Sequence, residues 1–289
     1  MLSFLCCGAI LCLAQIKPTI IDAGAPFEEC RPGPKTGPRK RPLYRTKDST
    51  LAGDISGASN LLEVNLGVTL WRLRPSTANG SGTRMLVHEQ GSSNNMQVIP
   101  ERITSEAAVS EGEHVRLSIE STRRGYLYVV DREEYADGSL GDPYIIFPTT
   151  RTHGGDNELR PGRLIEIPAR DDDPNYFTMK KGRPDQTGEA LFLIQSPRPL
   201  PGINPGLDPI KLSTEEFQGW EKKWGAKSER FEMEGGAGRA WTEPEKAAGS
   251  GGADSRALSG DDPLPETIYR APAKPGDTVM VRVPLTISK

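Results

Sequence analysis

The chain has 289 residues, a formal net charge of −3 and a mean hydropathy of −0.51. That length admits one large domain or two small ones, the near-balanced charge gives no overall field to recruit nucleic acid, and the hydropathy excludes a polytopic membrane protein. With 31 glycines and 25 prolines, nearly one residue in five, turns must be frequent and long helices few.

Residues 2–13, LSFLCCGAILCL, carry no charge and are almost wholly apolar, and Lys17 and Pro18 end the run. The run is too short for a hydrocarbon core that needs about 20 residues, and it has the form of a signal-peptide hydrophobic region. Cys12 and Ala14 provide the small residues for a cut after Ala14, so 1–14 reads as the signal; Ala23-Gly24-Ala25 is a second option. The expected product is exported to the periplasm, the outer envelope or the exterior, with no transmembrane span after maturation. Removing the signal takes Cys6, Cys7 and Cys12 with it, and the remaining Cys30 can form neither an internal disulfide nor a Cys/His metal site.

Residues 15–62 read as a disordered, Pro-rich basic linker. From Arg31 to Lys47, seven of 17 residues are basic and four are proline, which denies the backbone both helix and ladder. Beyond it, residues 48–289 hold 28 basic and 36 acidic side chains. A basic segment on an acidic body reads either as a charged spacer or as a contact for anionic envelope polymers or lipid. No aromatic ladder accompanies the basic run, so nucleic acid is not an expected partner.

From residue 63 the texture becomes that of strands. Val64, Leu66, Val68 and Leu70 alternate with small or polar residues, and Arg84–Gln90 follows a Gly-rich turn. Val115, Leu117 and Ile119 alternate with His114, Arg116 and Ser118, a half-buried pattern. Gly125–Asp131 and Pro143–Pro148 flank Asp137-Gly138 as a long hairpin. Arg163–Pro168, Tyr176–Met179 and Glu189–Ser196 continue the series. Short strands separated by Gly, Pro and Asp, without intervening helices, predict an antiparallel β-sandwich, immunoglobulin-like or barrel-like, over 63–289.

Residues 201–276 read as an insertion of one or two short helices and loops. Ser213 or Thr214 can cap a helix with Glu215 and Glu216 in its first turn; Phe217, Trp220 and Trp224 share one face, and Gly225 stops it. A second helix is expected from Thr242, with Pro244 in its first turn, then a Gly/Ser/Asp-rich loop over Ala247–Asp262. The alternating run at 277–287 is the expected closing strand.

In order, Gly125-Tyr126-Leu127-Tyr128, Asp137-Gly138, Ile146-Phe147-Pro148, Pro161-Gly162, Ile167-Pro168, Tyr176-Phe177 and Gly188-Glu189 follow the pattern of a bacterial family. Residues 112–200 resemble the domain of unknown function 4384. The resemblance implies a small exported or envelope-associated β-domain without established catalytic residues, so no functional residue is transferred from it.

Candidate chemistry is sparse. His153, in a loop with Asp156, is placed to meet a ligand, while His88 and His114 fall within strand patterns. Tyr126, Tyr128 and Tyr176, with Trp71, Trp220, Trp224 and Trp241, read either as a sugar or peptide platform or as core and helix-docking aromatics. No GxSxG elbow supports a nucleophilic serine. Asp171, Asp172, Asp173 and Asp185 lie on loops, and Asp131, Asp137 and Asp142 bracket the hairpin, without the spacing of a calcium loop. Glu234–Ala240 is Gly-rich but lacks the Lys-Ser/Thr of a phosphate loop. No cofactor or metal is expected. The reading is a non-catalytic cell-envelope binding or assembly module whose partner is an envelope protein or polymer. The alternative is a secreted hydrolase using loop carboxylates, which predicts two mutually perturbed acids.

Overall fold

The apolar side chains that alternate along the sequence face one another between two antiparallel sheets, so the chain is a β-sandwich. The computed structural model describes residues 23–31, 62–75, 97–169, 172–233, 257–258 and 262–288, with the backbone of 43–45, 85–88, 95–96 and 256. The expected signal at 1–14, the helix from Thr242 and the Gly-rich stretch Glu234–Ala240 lie outside these residues.

In chain order the strands are β1 (Leu43–Arg45), β2 (Leu62–Pro75), β3 (Met85–His88), β4 (Asn95–Ile103), β5 (His114–Ser121), β6 (Gly125–Tyr135), β7 (Tyr144–Phe147) and β8 (Glu158–Leu159). They continue as β9 (Arg163–Ile167), β10 (Phe177–Thr178), β11 (Gln186–Ser196), β12 (Ile210–Lys211), β13 (Glu229–Met233), β14 (Arg256–Ala257), β15 (Thr267–Ala273) and β16 (Val279–Thr286). The helices among the described residues are α1 (Ala25–Glu29) and α2 (Thr214–Trp224). The larger sheet runs β1-β13-β15-β2-β5-β9-β14, with the β3–β4 pair continuing from β2 and β10 on β5. The smaller runs β12-β7-β6-β11-β16, with β8 on β6.

Between the sheets, Val64, Leu66, Val68, Leu70, Leu117, Ile119 and Ile167 meet Leu127, Val129, Leu191, Leu193, Val281 and Val283 in one buried cluster. At about 25 cal/mol per Å² of apolar surface buried, this layer is the main stabilising term. The expected hairpin is present: β6 pairs with β7 across a turn in which Gly138 takes φ +80°, a backbone conformation cheap only for glycine. Helix α2 also follows its sequence signals. Ser213 Oγ accepts the Glu216 N–H at 3.1 Å, and Phe217 inserts edge-on against Phe192, centroids 4.9 Å apart, on the outer face of the smaller sheet.

Three expectations are corrected. First, the stretch 15–62 is more than a linker. Ala23 and Phe27 pack with Phe231 and Ile268 on the outer face of the larger sheet, and Leu43–Arg45 pairs with β13. Second, residues 201–276 are more than an insertion, since β15 lies between β13 and β2 inside the larger sheet. Both Pro272 of β15 and Pro100 of β4 made these strands hard to read, yet each sits where the strand has one neighbour. Pairing of β15 with β13 ends at Arg270, and pairing of β4 with β3 ends at Val98, so the missing amide interrupts no ladder.

Third, β5 is buried on both faces, not one. Arg116 and Glu120 point away from the core yet are 4% and 3% exposed. Glu120 Oε1 receives Arg31 Nη2 at 2.7 Å, and Arg31 Nη1 also donates to the Asp262 carbonyl at 2.7 Å. Arg116 Nη2 donates to the Pro168 carbonyl at 2.9 Å. Arg31, just after α1, and Asp262, ahead of β15, thus cover the outer face of β5 at Glu120 through charge-assisted contacts.

The free side of β16 is guarded. The carbonyls of Met280 and Thr286 point outward and accept N–H groups from Ala226 and Val109. Between them the outward residues are Arg282, paired to Glu134 at 2.8 Å, and Pro284, which has no amide to offer.

Candidate functional site

The four residues singled out in the sequence fall into two places, the His153–Asp156 turn and the outer face of the smaller sheet, and form no joint site. His153 adopts φ 53°, its Nε2 sits 2.7 Å from the Glu166 carbonyl, and its ring meets the edge of Phe147 with centroids 6.2 Å apart. Asp156 is exposed, and its Oδ1 accepts the Glu158 N–H at 3.0 Å, closing a turn. Tyr128 is buried with its hydroxyl accepting the Leu200 N–H at 2.8 Å, and Tyr126 packs half-buried in the same outer cluster. The tryptophans do not share a platform either. Trp71 donates to Ser118 Oγ at 2.8 Å under the Arg102 guanidinium, while Trp220 and Trp224 stack on α2; Trp241 lies outside the described residues.

Loop carboxylates are likewise absorbed by local structure. Asp172 Oδ2 accepts the Ala169 N–H at 2.7 Å, Asp185 is held by Arg183 at 2.7 Å, Asp137 binds Ser139, and Asp142 pairs with Lys211. Asp171 lies outside the described residues. Among the described residues, no group of three or more His, Cys, Asp or Glu is arranged to hold a metal ion.

Unusual acid chemistry instead sits on strands. Asp131 and Glu133 of β6 share the inner-facing parity of Leu127 and Val129, and Glu189 of β11 shares that of Leu191. The register places Glu189 opposite Glu133 and Leu191 opposite Asp131. Glu189 is therefore a diagonal neighbour of Asp131, within side-chain reach. Leu285 of β16, opposite Glu189, still belongs to the buried core cluster, so the carboxyls stand at the margin of the apolar layer at positions of inward parity.

The Asp131 and Glu189 carboxyls lie close enough to perturb one another electrostatically. Gln186 Nε2 donates to Glu189 Oε1 at 2.7 Å, and Gln186 Oε1 accepts the Gly182 N–H at 2.6 Å, which fixes the amide's orientation. Tyr135 donates its hydroxyl to Glu133, and Arg183 lies 4.0 Å over the Tyr135 ring. Among the described residues, Asp131 Oδ1 and Glu189 Oε2 are buried without a hydrogen-bond donor.

Loss of solvation is the main reason the Asp131 carboxyl is pushed up to about 7, with the Glu133 charge adding to it. Loss of solvation, then repulsion from Asp131 and Glu133, pushes Glu189 up to about 9. A contact between two carboxyls is a hydrogen bond only while one keeps its proton. Burial of two carboxyls this close together favours the state in which the pair keeps a proton. The two titrate as a unit, and a proton shared by paired carboxyls is the chemistry of general acid–base catalysis. Alternation alone could have put Asp131 and Glu189 on the inner face; their juxtaposition depends on cross-strand register, which no local motif encodes.

A second arrangement involves the basic segment. It leaves the body at Arg31, whose ion pair with Glu120 has both side chains under 5% exposed, and it rejoins the body at β1 on the edge of β13. Compared with known proteins, the chain matches no family model, no curated sequence and no solved structure. Among the described residues, no helix is long and apolar enough to cross a membrane.

Proposed function

We propose that the chain is an exported, non-catalytic module of the cell envelope that binds or assembles on an anionic partner through its basic amino-terminal segment. The observation that carries this reading is the attachment of that segment at both ends, at Arg31–Glu120 and at Leu43–Arg45. Lys35, Arg39, Lys40 and Arg41 lie between the two attachments in sequence. A segment closed at both ends has less freedom to lose on binding than a free tail. The resemblance of 112–200 to the domain of unknown function 4384 family supports the same reading, as does the signal-like run at 2–13.

The test is co-sedimentation of the full chain with phosphatidylglycerol-containing vesicles, against phosphatidylcholine alone. Binding to the anionic vesicles, weakened by salt and lost in the combined K35S, R39S, K40S and R41S variant, is the expected result. Equal behaviour of wild type and variant would overturn the proposal.

A second reading is favoured by the Asp131–Glu189 pair: a hydrolase whose acid and base lie on β6 and β11 instead of on loops. Turnover of any glycoside or ester in a broad substrate panel, abolished by Asp131→Asn in a variant with unchanged circular dichroism, would support it. No turnover by the wild type across pH 4–9 would remove it.

A further inference from the structure

Two exits from the leader are written in the sequence: the small residues Cys12 and Ala14, and Ala23-Gly24-Ala25. The fold discriminates between them. Ala23 is 0% exposed and Phe27 1%, and both pack against Phe231 and Ile268, with Leu264 at the margin. The Gly24 carbonyl accepts the N–H groups of Phe27 at 3.0 Å and Glu28 at 3.3 Å, which makes the first turn of α1. Past the helix the chain lies so close to Gly162, which takes φ +74°, that a Cβ there would run into the Cys30 carbonyl. Arg31 then seals the segment through Glu120 and the Asp262 carbonyl. The described part of the fold is thus already using its chain at Ala23.

A cut after Ala25 would remove the buried alanine and the carbonyl that organises the turn. It would also place the new amino terminus on half-exposed Pro26, directly beside the buried Phe27. A cut after Ala14 keeps all of these and leaves Gln15–Asp22 as a lead-in. We infer that the leader is removed upstream of Ala23, at the Ala14–Gln15 bond, and not after Ala25. The inference rests on the export reading proposed above.

The experiment is expression of the full chain in a bacterial host, with amino-terminal sequencing and intact mass of the protein recovered from the envelope and periplasm. A terminus at Gln15 is expected, and any new terminus from Gln15 to Ala23 keeps the folded segment whole and supports the upstream placement. Ala14→Arg should accumulate uncut chain, whereas Ala25→Arg should mature at the wild-type bond. A terminus at Pro26, or processing blocked by Ala25→Arg and not by Ala14→Arg, overturns the assignment and leaves export standing. Wild-type protein that retains Met1 overturns export and the assignment together.

Discussion

Replacing Glu189 by glutamine removes one ionisable member of the carboxyl pair while keeping its shape. In the folded protein Glu189 is raised from the usual 4.5 to about 9, and Asp131 from 3.8 to about 7. An acid whose folded pKa lies above its unfolded one binds its proton more tightly in the folded state. Its contribution is most favourable below the unfolded value and is lost as pH rises through the folded value. Wild-type stability should therefore fall, through this pair, from about pH 4.5 towards pH 9, and the variant should lack most of that decline. At about 1.4 kcal/mol per unit, the full Glu189 shift corresponds to about 5 kcal/mol at pH 8. Relaxation and water penetration at the site reduce such a penalty, so about half of it, 2–3 kcal/mol, is the expected gain. For a domain of this size that is roughly 5–10 °C in Tm. Urea unfolding of wild type and Glu189→Gln at pH 5, 7 and 8 measures it. A stability difference that does not change with pH, or a variant less stable than wild type at pH 8, would refute the shared-proton account.

Phe217→Ala should cost about 3–5 kcal/mol, because Phe217 is fully buried against Phe192 and beneath the Arg132 guanidinium; denaturant titration followed by tryptophan fluorescence reads it. Glu120→Ala strands the buried Arg31 charge and should cost about 3–5 kcal/mol, with the double variant Arg31→Met, Glu120→Leu recovering part of the loss in the same assay. Pro284→Thr restores an outward amide to the edge of β16, so concentration-dependent self-association should appear in sedimentation velocity. A variant that stays as dispersed as wild type would show that Arg282 and the end contacts guard the edge alone.

Local pattern was enough where the apolar signal was strong. In β2 and β16 apolar side chains recur at every second position toward the other sheet, β6 and β11 carry apolar runs covered on both faces, and α2 has its cap, its acidic first turn and its aromatic stripe within Ser213–Trp224. The pattern misled where polar residues were themselves covered. Arg116 and Glu120 look like solvent positions until Arg31, 89 residues from Glu120 in sequence, arrives to neutralise one of them. Helix α1 is only five residues long and sits ahead of a proline-rich run, so its burial depends on Phe231 and Ile268 from the far end of the chain. In the same way Asp131 and Glu189 were visible as residues but not as a pair. The register shift between Gln186 and Gly188 helps decide what stands opposite them, and register is a property of two strands.

The pairing of β2 with β15 sets Val68 opposite Thr267, joining the beginning of the sandwich to nearly its last residues. The strand after it, β16, goes to the other sheet. Each sheet thus depends on a strand from far along the chain for its completion, and contacts so distant in sequence form late.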